Sequence, residues 1–409
     1  MIKKIRGGTV LLLCLLALPD RQAAAQTYGI DLHNVSHPAS GGMAGVSLAN
    51  PQDAPSALYG NPSTMTQFSG TVVTMGLSWL APTLDVTHDG SVTGAMGGGP
   101  WSGTSEMQGL LNPSIAVIQD LSSLGIDGNA GLGLTAGSGL GTSFRSEPAS
   151  LGATAEYVVY EINAGLALDI TEQLSAGAAF TLGMGFLDAG FVSTSAMTHA
   201  YGSRGTFGLD YDVAPETILG VFYQTRMPFT FNNQTTSTPG VFTDTKIEQP
   251  DNVGVGISNQ SLFGGNLLLA VDVIYKQWEG AEFWQDYYVN QWVYALGGQY
   301  TQGNLKYRAG YAYANNPIDK HAGQSAGPAA HALTQYLQAT ELAAISKHRL
   351  TAGIGYSDLI PGVDLDLYAG GLLPETEKFG THSRATAFAW YAGVGLTWRF
   401  DAAIDEPPM

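Results

Sequence analysis

Gly323-Gln324-Ser325-Ala326-Gly327 has the glycine, serine and glycine spacing of a nucleophile elbow, which holds a serine on a sharp turn between a buried strand and a helix. The residues before it, Asn315 to His321, are turn formers, so the serine has no strand to stand on and hydrolysis is not expected. His33 and His37, flanked by Asp31, have a spacing that could face one metal ion. Nothing nearby supplies a third ligand and an open position, and both read as solvated or packed histidines. Gly97-Gly98-Gly99 lacks the lysine and hydroxyl residue that complete a phosphate loop and reads as flexible connector. Neither catalysis, nor a metal, nor a cofactor is expected.

Asp272, Lys306, Arg308, Asp364, Asp366 and Arg399 are suited to a different chemistry, ion pairing inside a closed space, because each falls opposite the apolar face of an alternating segment. Such a network could tie an inner element to a wall, or the same groups could line water. The elements that carry them are strands. Period-two alternation marks fourteen, at 71–81, 114–121, 129–137, 158–168, 174–186, 205–212, 217–224, 253–259, 266–277, 290–300, 304–314, 349–357, 363–371 and 387–400. Connectors after even-numbered strands are tight and those after odd-numbered strands are long, the pattern of an outer-membrane barrel.

The last strand states the two faces most clearly. Phe388, Trp390, Ala392, Val394, Leu396, Trp398 and Phe400 alternate with Ala389, Tyr391, Gly393, Gly395, Thr397 and Arg399. Trp390 and Trp398 are separated by about 27 Å along a strand, or about 20 Å along the membrane normal at a tilt near 40°. That spacing is near the height of an apolar band between two aromatic girdles. A soluble barrel would reverse the faces and put the apolar one inside. The expected fold is all-β: a fourteen-stranded antiparallel transmembrane β-barrel.

The chain has 409 residues, only 12% charged, with 53 glycines and a net charge of −17. No shift in composition marks a linker, and one large repetitive domain is the simpler reading. Lys3, Lys4 and Arg6, the apolar run Val10 to Leu18 and Ala23-Ala24-Ala25 form a secretory leader over 1–25. The only cysteine, Cys14, lies inside it, so no thiol chemistry is expected in the mature chain. The acidic balance argues against a nucleic-acid partner.

Residues 26–70 do not read as strand. Ser40 to Ala49 is rich in small residues, Asp53 follows, and Leu58-Tyr59-Gly60-Asn61-Pro62-Ser63 is rich in turn formers, so the segment is compact enough to be a hatch inside the barrel lumen. Here the chain resembles the FadL-type family of outer-membrane transporters for long-chain fatty acids and aromatic hydrocarbons, whose hatch carries an Asn-Pro-Ala motif. Asn61-Pro62-Ser63 departs from that motif only at its third position. Further resemblance lies at Asp272 to Trp278, at Leu305 to Tyr311 with Pro317-Ile318, and at Trp398-Arg399-Phe400. Two features depart from the family pattern: the tenth strand offers no basic residue near its start, and 401–409 continues past the terminal aromatic as a periplasmic tail.

The resemblance implies a cell outer-membrane protein, a monomer in contact with lipid and lipopolysaccharide and inserted by the barrel assembly machinery. It implies passive uptake of a hydrophobic small molecule, captured at the outer loops, held in the lumen, and released sideways through a kink in the third strand. Gly131, Gly133 and Gly137 are the candidates for that opening, because glycine weakens a strand and permits bulges, although barrels use inward glycine generally. Met227, Phe229 and Phe231 in one long loop, and Leu333, Tyr336 and Leu337 at helical spacing in another, are the candidates for capture; the helix could equally be packed on neighbouring loops. A structural or protein-docking barrel with a fixed plug is the alternative from another class. The hatch argues against a general polar porin, and an apolar pocket against the hatch would favour transport over docking.

Overall fold

The structure, a computed structural model, describes residues 33–107, 109–189, 194–238 and 241–400. The leader, residues 26–32 with Asp31, and the tail 401–409 lie outside the described residues. Seventeen strands follow the chain: β1 (Thr71–His88), β2 (Trp101–Thr104), β3 (Leu110–Asp120), β4 (Gly128–Ser143), β5 (Thr154–Thr171), β6 (Leu174–Ala189), β7 (Thr194–Ala214), β8 (Thr217–Gln224), β9 (Met227–Thr238), β10 (Val241–Gln249), β11 (Asn252–Leu262), β12 (Leu267–Lys276), β13 (Gln291–Gln302), β14 (Leu305–Ala314), β15 (His348–Ile360), β16 (Val363–Phe379) and β17 (Ser383–Phe400). Fourteen make the wall. β2 is a short addition to the end of β1, and β9 with β10 forms a separate hairpin.

Each wall strand pairs antiparallel with its neighbours, and β17 returns to β1 in register from Thr71 opposite Phe400 to His88 opposite Ser383. Closure leaves no free edge, the condition for a sheet to exist in hydrocarbon. The tight turns gather at one end. Gly303 and Gly362 sit in two of them at φ of +59° and +77°, the left-handed backbone that such turns require.

The alternation sorts as the sequence requires. Trp390, Val394 and Phe400 are exposed on the outer surface, whereas Ala389 and Tyr391 are buried. Met75, Leu77, Leu132, Phe180 and Phe207 add to an outward apolar band. Among the described residues no helix is long and apolar enough to cross a membrane.

Two expectations change at the long-loop end. Several segments read as loops are strand: β1 runs on to His88, β4 to Ser143, and β16 and β17 meet across a turn at 380–382 where a loop over 372–386 was expected. Above the apolar band the outward residues turn polar, so pairing continues with no alternation to mark it. The loop 225–252 is likewise the β9–β10 hairpin.

The inward face of the wall is small because the hatch sits on it. A side chain on Gly310 would meet Met43, one on Gly220 would meet the Leu48 backbone, and one on Gly177 would meet Pro62, all closer than 3 Å. Small inward residues thus exchange lumen width for close packing.

Candidate functional site

The hatch is built on one carboxylate. Asp53 caps α1 (Ala54–Tyr59), accepting from the Ser56 N–H at 2.9 Å, and draws in the preceding turns through Ala39 N–H at 2.8 Å and Ser40 N–H at 3.0 Å. His37 is fully buried, 3.1 Å from the Ser56 hydroxyl and edge-on to the Tyr59 ring. Burial pushes its imidazole down to about 4, with Asp53 pulling the other way. For Asp53 burial alone would raise the carboxyl; His37 and the hydrogen bonds from Ser56 and Ser40 outweigh it and hold the group below its usual range. His37 is therefore a packed histidine, and among the described residues no group of metal-ligating side chains assembles.

Asn61 caps the next turn, accepting from the Ser63 hydroxyl at 2.7 Å. Its amide donates to Leu48 O at 2.7 Å within the hatch and to Leu209 O on β7 at 3.2 Å. Pro62 opens that turn with its φ preset and no N–H to satisfy. The Asn-Pro-Ser motif is thus a joint between hatch and wall. Gln67 to Asp210 at 2.7 Å, Thr351 to Gly42 O at 3.0 Å and Ala44 N–H to Thr351 at 2.9 Å complete the seat.

The six inward charges divide into two groups. Arg308 pairs with Asp366 at 2.5 Å, and Asp364 accepts from Arg399 at 2.7 Å and from Lys306 at 3.3 Å. Asp272 stands apart from them. Its carboxylate takes the backbone N–H groups of Ser47 at 2.7 Å and Leu48 at 3.1 Å, so it latches the hatch directly.

The expectation for the third wall strand changes in two of its three residues. Gly131 and Gly133 are contact points for Leu58 and Met65 of the hatch. Gly137 sits at an irregularity: the β4–β5 register shifts between Ala136 and Ser138, and the Glu161 carboxylate occupies the space a Cβ would need. The β3–β4 ladder ends at Ser114 opposite Thr135, although β4 continues eight residues further. Opposite that unladdered stretch stand Leu110, against Gly139, and Met107, against Gly141.

Behind Gly137 lies a pair that the sequence reading missed. Arg204 on β7 and Glu161 on β5 meet at 2.9 Å with side chains 1% and 0% exposed, and Arg204 also donates to the Tyr59 hydroxyl at 3.0 Å. Two signals pointed to them. Glu161 is the lone acid in the run Tyr157 to Leu168, and Arg204 is the only Lys or Arg between Arg145 and Arg226.

Above the hatch lies the largest apolar cluster. Met227, Phe229 and Phe231 are at most 1% exposed, so they roof the lumen and are not an outer landing surface. The exposed apolar part of that hairpin is its tip, Val241 and Phe242. Tyr336, on α2 (Pro328–Thr340), is also buried, with its hydroxyl donating to Ser150 O at 2.7 Å, while Leu333 remains exposed and Leu337 is half-buried. Glu341 follows α2, fully buried, accepting from Thr154 N–H at 3.2 Å, and burial raises its carboxyl well above the usual range. Ser325 lies in a single 3-10 turn preceded by turns, so no nucleophile elbow forms.

Between roof and hatch is a cavity floored by Val35 and Ala44 and walled by Ile274, Trp278, Tyr288 and Val293. It leaves about 70 Å³ for the centres of water-sized molecules. A cavity of roughly 150 Å³ accepts benzene, so this one must widen to take an aromatic ring. Lys276 and Arg349 also line it. Basic groups therefore reach the lumen from β12 and β15, while the tenth wall strand, β13, offers none near its start.

A closed, plugged, fourteen-stranded antiparallel barrel defines the architectural class. Within it, the fold is that of solved FadL-type structures. The toluene transporter TodX of Pseudomonas putida aligns with TM-score 0.66 at 19% identity over 90% of this chain and 99% of that one. A Pseudomonas aeruginosa FadL homologue aligns with TM-score 0.67 at 14% identity over 91% and 100%. The Ralstonia pickettii toluene transporter TbuX aligns with TM-score 0.61 at 17% identity over 90% and 99%. No family model matches the chain, and neither does any curated protein.

Proposed function

We propose that this protein sits in a cell outer membrane and passively takes up hydrophobic small molecules, such as aromatic hydrocarbons or long-chain fatty acids. The observation that carries the reading is the cavity itself: aliphatic and aromatic side chains of wall and roof, with Asp272, Lys276, Gln291 and Arg349 among them, stand over hatch residues Val35 and Ala44. A docking barrel with a fixed plug has no need of a chamber with so large an apolar lining above it. The fold shared with proteins named as toluene transporters supports the same reading.

The substrate enters past the roof, rests above the hatch, and leaves sideways between β3 and β4. Support for the exit is the end of the ladder at Thr135, the bulge at Gly137, and a stretch closed by the Met107 and Leu110 side chains, bounded at its outer end by the Glu106 N–H to Ser143 O bond at 2.8 Å. Between those bonds side chains swing aside without breaking backbone hydrogen bonds, so the window opens at lower cost than a seam closed by a continuous ladder. Tyr59, Arg204 and Glu161 connect the hatch to that window, so displacement of α1 loosens the group that props the bulge.

The test is uptake by cells with and without the protein, across toluene, alkylbenzenes and long-chain fatty acids. Faster uptake of at least one apolar compound, with no gain for sugars or small ions, is expected. Equal uptake of every apolar compound would leave the docking barrel as the better account.

A further inference from the structure

Lys378 on β16 and Arg384 on β17 stand directly opposite each other in the ladder, and both are exposed. Like charges so placed repel. The acids around them are engaged elsewhere: Asp85 accepts from Thr104 at 2.6 Å, Asp89 pairs with His382 at 2.9 Å, and Glu377 pairs with Lys320 at 3.0 Å. Neither base forms an ion pair among the described residues. Together with Thr87 and the His382–Asp89 pair they line an open depression at the barrel rim.

Their position says what kind of anion fits. Arg384 shares the outward parity of Phe388 and Trp390, and Lys378 lies across from it on the same face. Four residues separate Arg384 from Phe388, about 13 Å along the strand and about 10 Å along the membrane normal. The headgroup layer of an ordinary phospholipid is only about 6 Å deep on each side. The pair therefore stands above phospholipid phosphates, at a height that an anion carried on a larger saccharide head can reach.

We propose that Lys378 and Arg384 bind a phosphate group on the saccharide head of an outer-leaflet glycolipid, anchoring the β16–β17 rim in that leaflet. Arg384 offers a fork of N–H donors and Lys378 a point charge, a combination suited to phosphate. The inference rests on the membrane reading given above.

The experiment compares wild type with the Lys378→Gln, Arg384→Gln double variant, both extracted from outer membranes in mild detergent. Native mass spectrometry then measures retention of lipopolysaccharide, of the same glycolipid after phosphatase treatment, and of phosphatidylglycerol, with inorganic phosphate as competitor. Wild type should retain the phosphorylated glycolipid roughly thirtyfold better than the variant, and should not distinguish itself from the variant on the other two lipids. Unchanged heat-modifiable mobility and uptake in the variant separate this result from misfolding and from failure of the transport reading. Equal retention by both proteins, indifference to phosphate removal, or full competition by inorganic phosphate at millimolar concentration would each overturn the proposal.

Discussion

Arg204 reaches from the barrel wall to the hatch, its guanidinium donating to the Tyr59 hydroxyl at 3.0 Å while it holds the Glu161 carboxylate at 2.9 Å. The contact places a buried ion pair between the element that plugs the lumen and the strand irregularity at Gly137. Removing one member of a buried pair costs about 3–5 kcal/mol, so Arg204→Ala should lower the thermal stability of the folded barrel. Tyr59→Phe, which deletes only the hydroxyl, should cost about 1 kcal/mol. In a double-mutant cycle the two losses should couple. Strict additivity in thermal unfolding would show that hatch and ion pair are independent.

Asn61 carries the joint between hatch and β7. Asn61→Ala removes its bonds to Leu48 O and Leu209 O and leaves those carbonyls short of a donor, a loss of about 1–3 kcal/mol each at most. Barrel insertion, read as slower gel migration after boiling, should be unchanged, because the wall closes through its own ladder. Uptake should change. Loss of insertion would mean that the hatch is needed to build the wall.

Acid should weaken the contribution of His37 to hatch docking. The His37 imidazole is near 4 in the packed hatch and 6.5 when exposed, so unseating takes up a proton across that interval. That contribution is full above about pH 6.5 and falls by a few kcal/mol as pH drops toward about 4. Asp53, also lowered on packing, adds a loss of the same sign at more acid pH. A fluorophore at Gln52→Cys should report a transition in this window that His37→Gln removes. Identical responses of wild type and His37→Gln from pH 7 to 4 would contradict the buried neutral histidine.

Substrate choice is set by what the lumen cations already hold. Arg308 and Lys306 are engaged by Asp366 and Asp364, and Lys276 and Arg349, which line the cavity, have partners of their own. Binding of a long-chain fatty acid, its methyl ester and toluene should show the ester and toluene held at least as well as the acid. A clear preference for the acid, lost in Arg349→Gln, would place a carboxylate site in the cavity.

The wall was legible because lipid imposes period-two alternation on every strand, and all fourteen strands appear where that pattern placed them. Their outer ends were not, since the outward residues of β16 above Leu373 face no hydrocarbon and carry no such mark. Inward glycines misled for a related reason. Gly131 and Gly133 look like weak points in a single strand, and only the packed hatch reveals that Leu58 and Met65 fill the space they leave. The apolar run Met227 to Phe231 read as an exposed capture loop because sequence spacing says nothing of a hairpin folding back across the lumen. Arg204 and Glu161 meet from strands 43 residues apart, a contact no local pattern encodes.

The sideways exit is tested most directly by closing the window. Leu110→Cys with Gly139→Cys places two thiols where the Leu110 side chain now lies against Gly139, and Cys14 is the only other cysteine in the sequence. With cross-linking confirmed by mass spectrometry, the oxidised protein should lose uptake of its apolar substrate, and reductant should restore it. Full uptake by the fully cross-linked barrel would show that substrate leaves by another route.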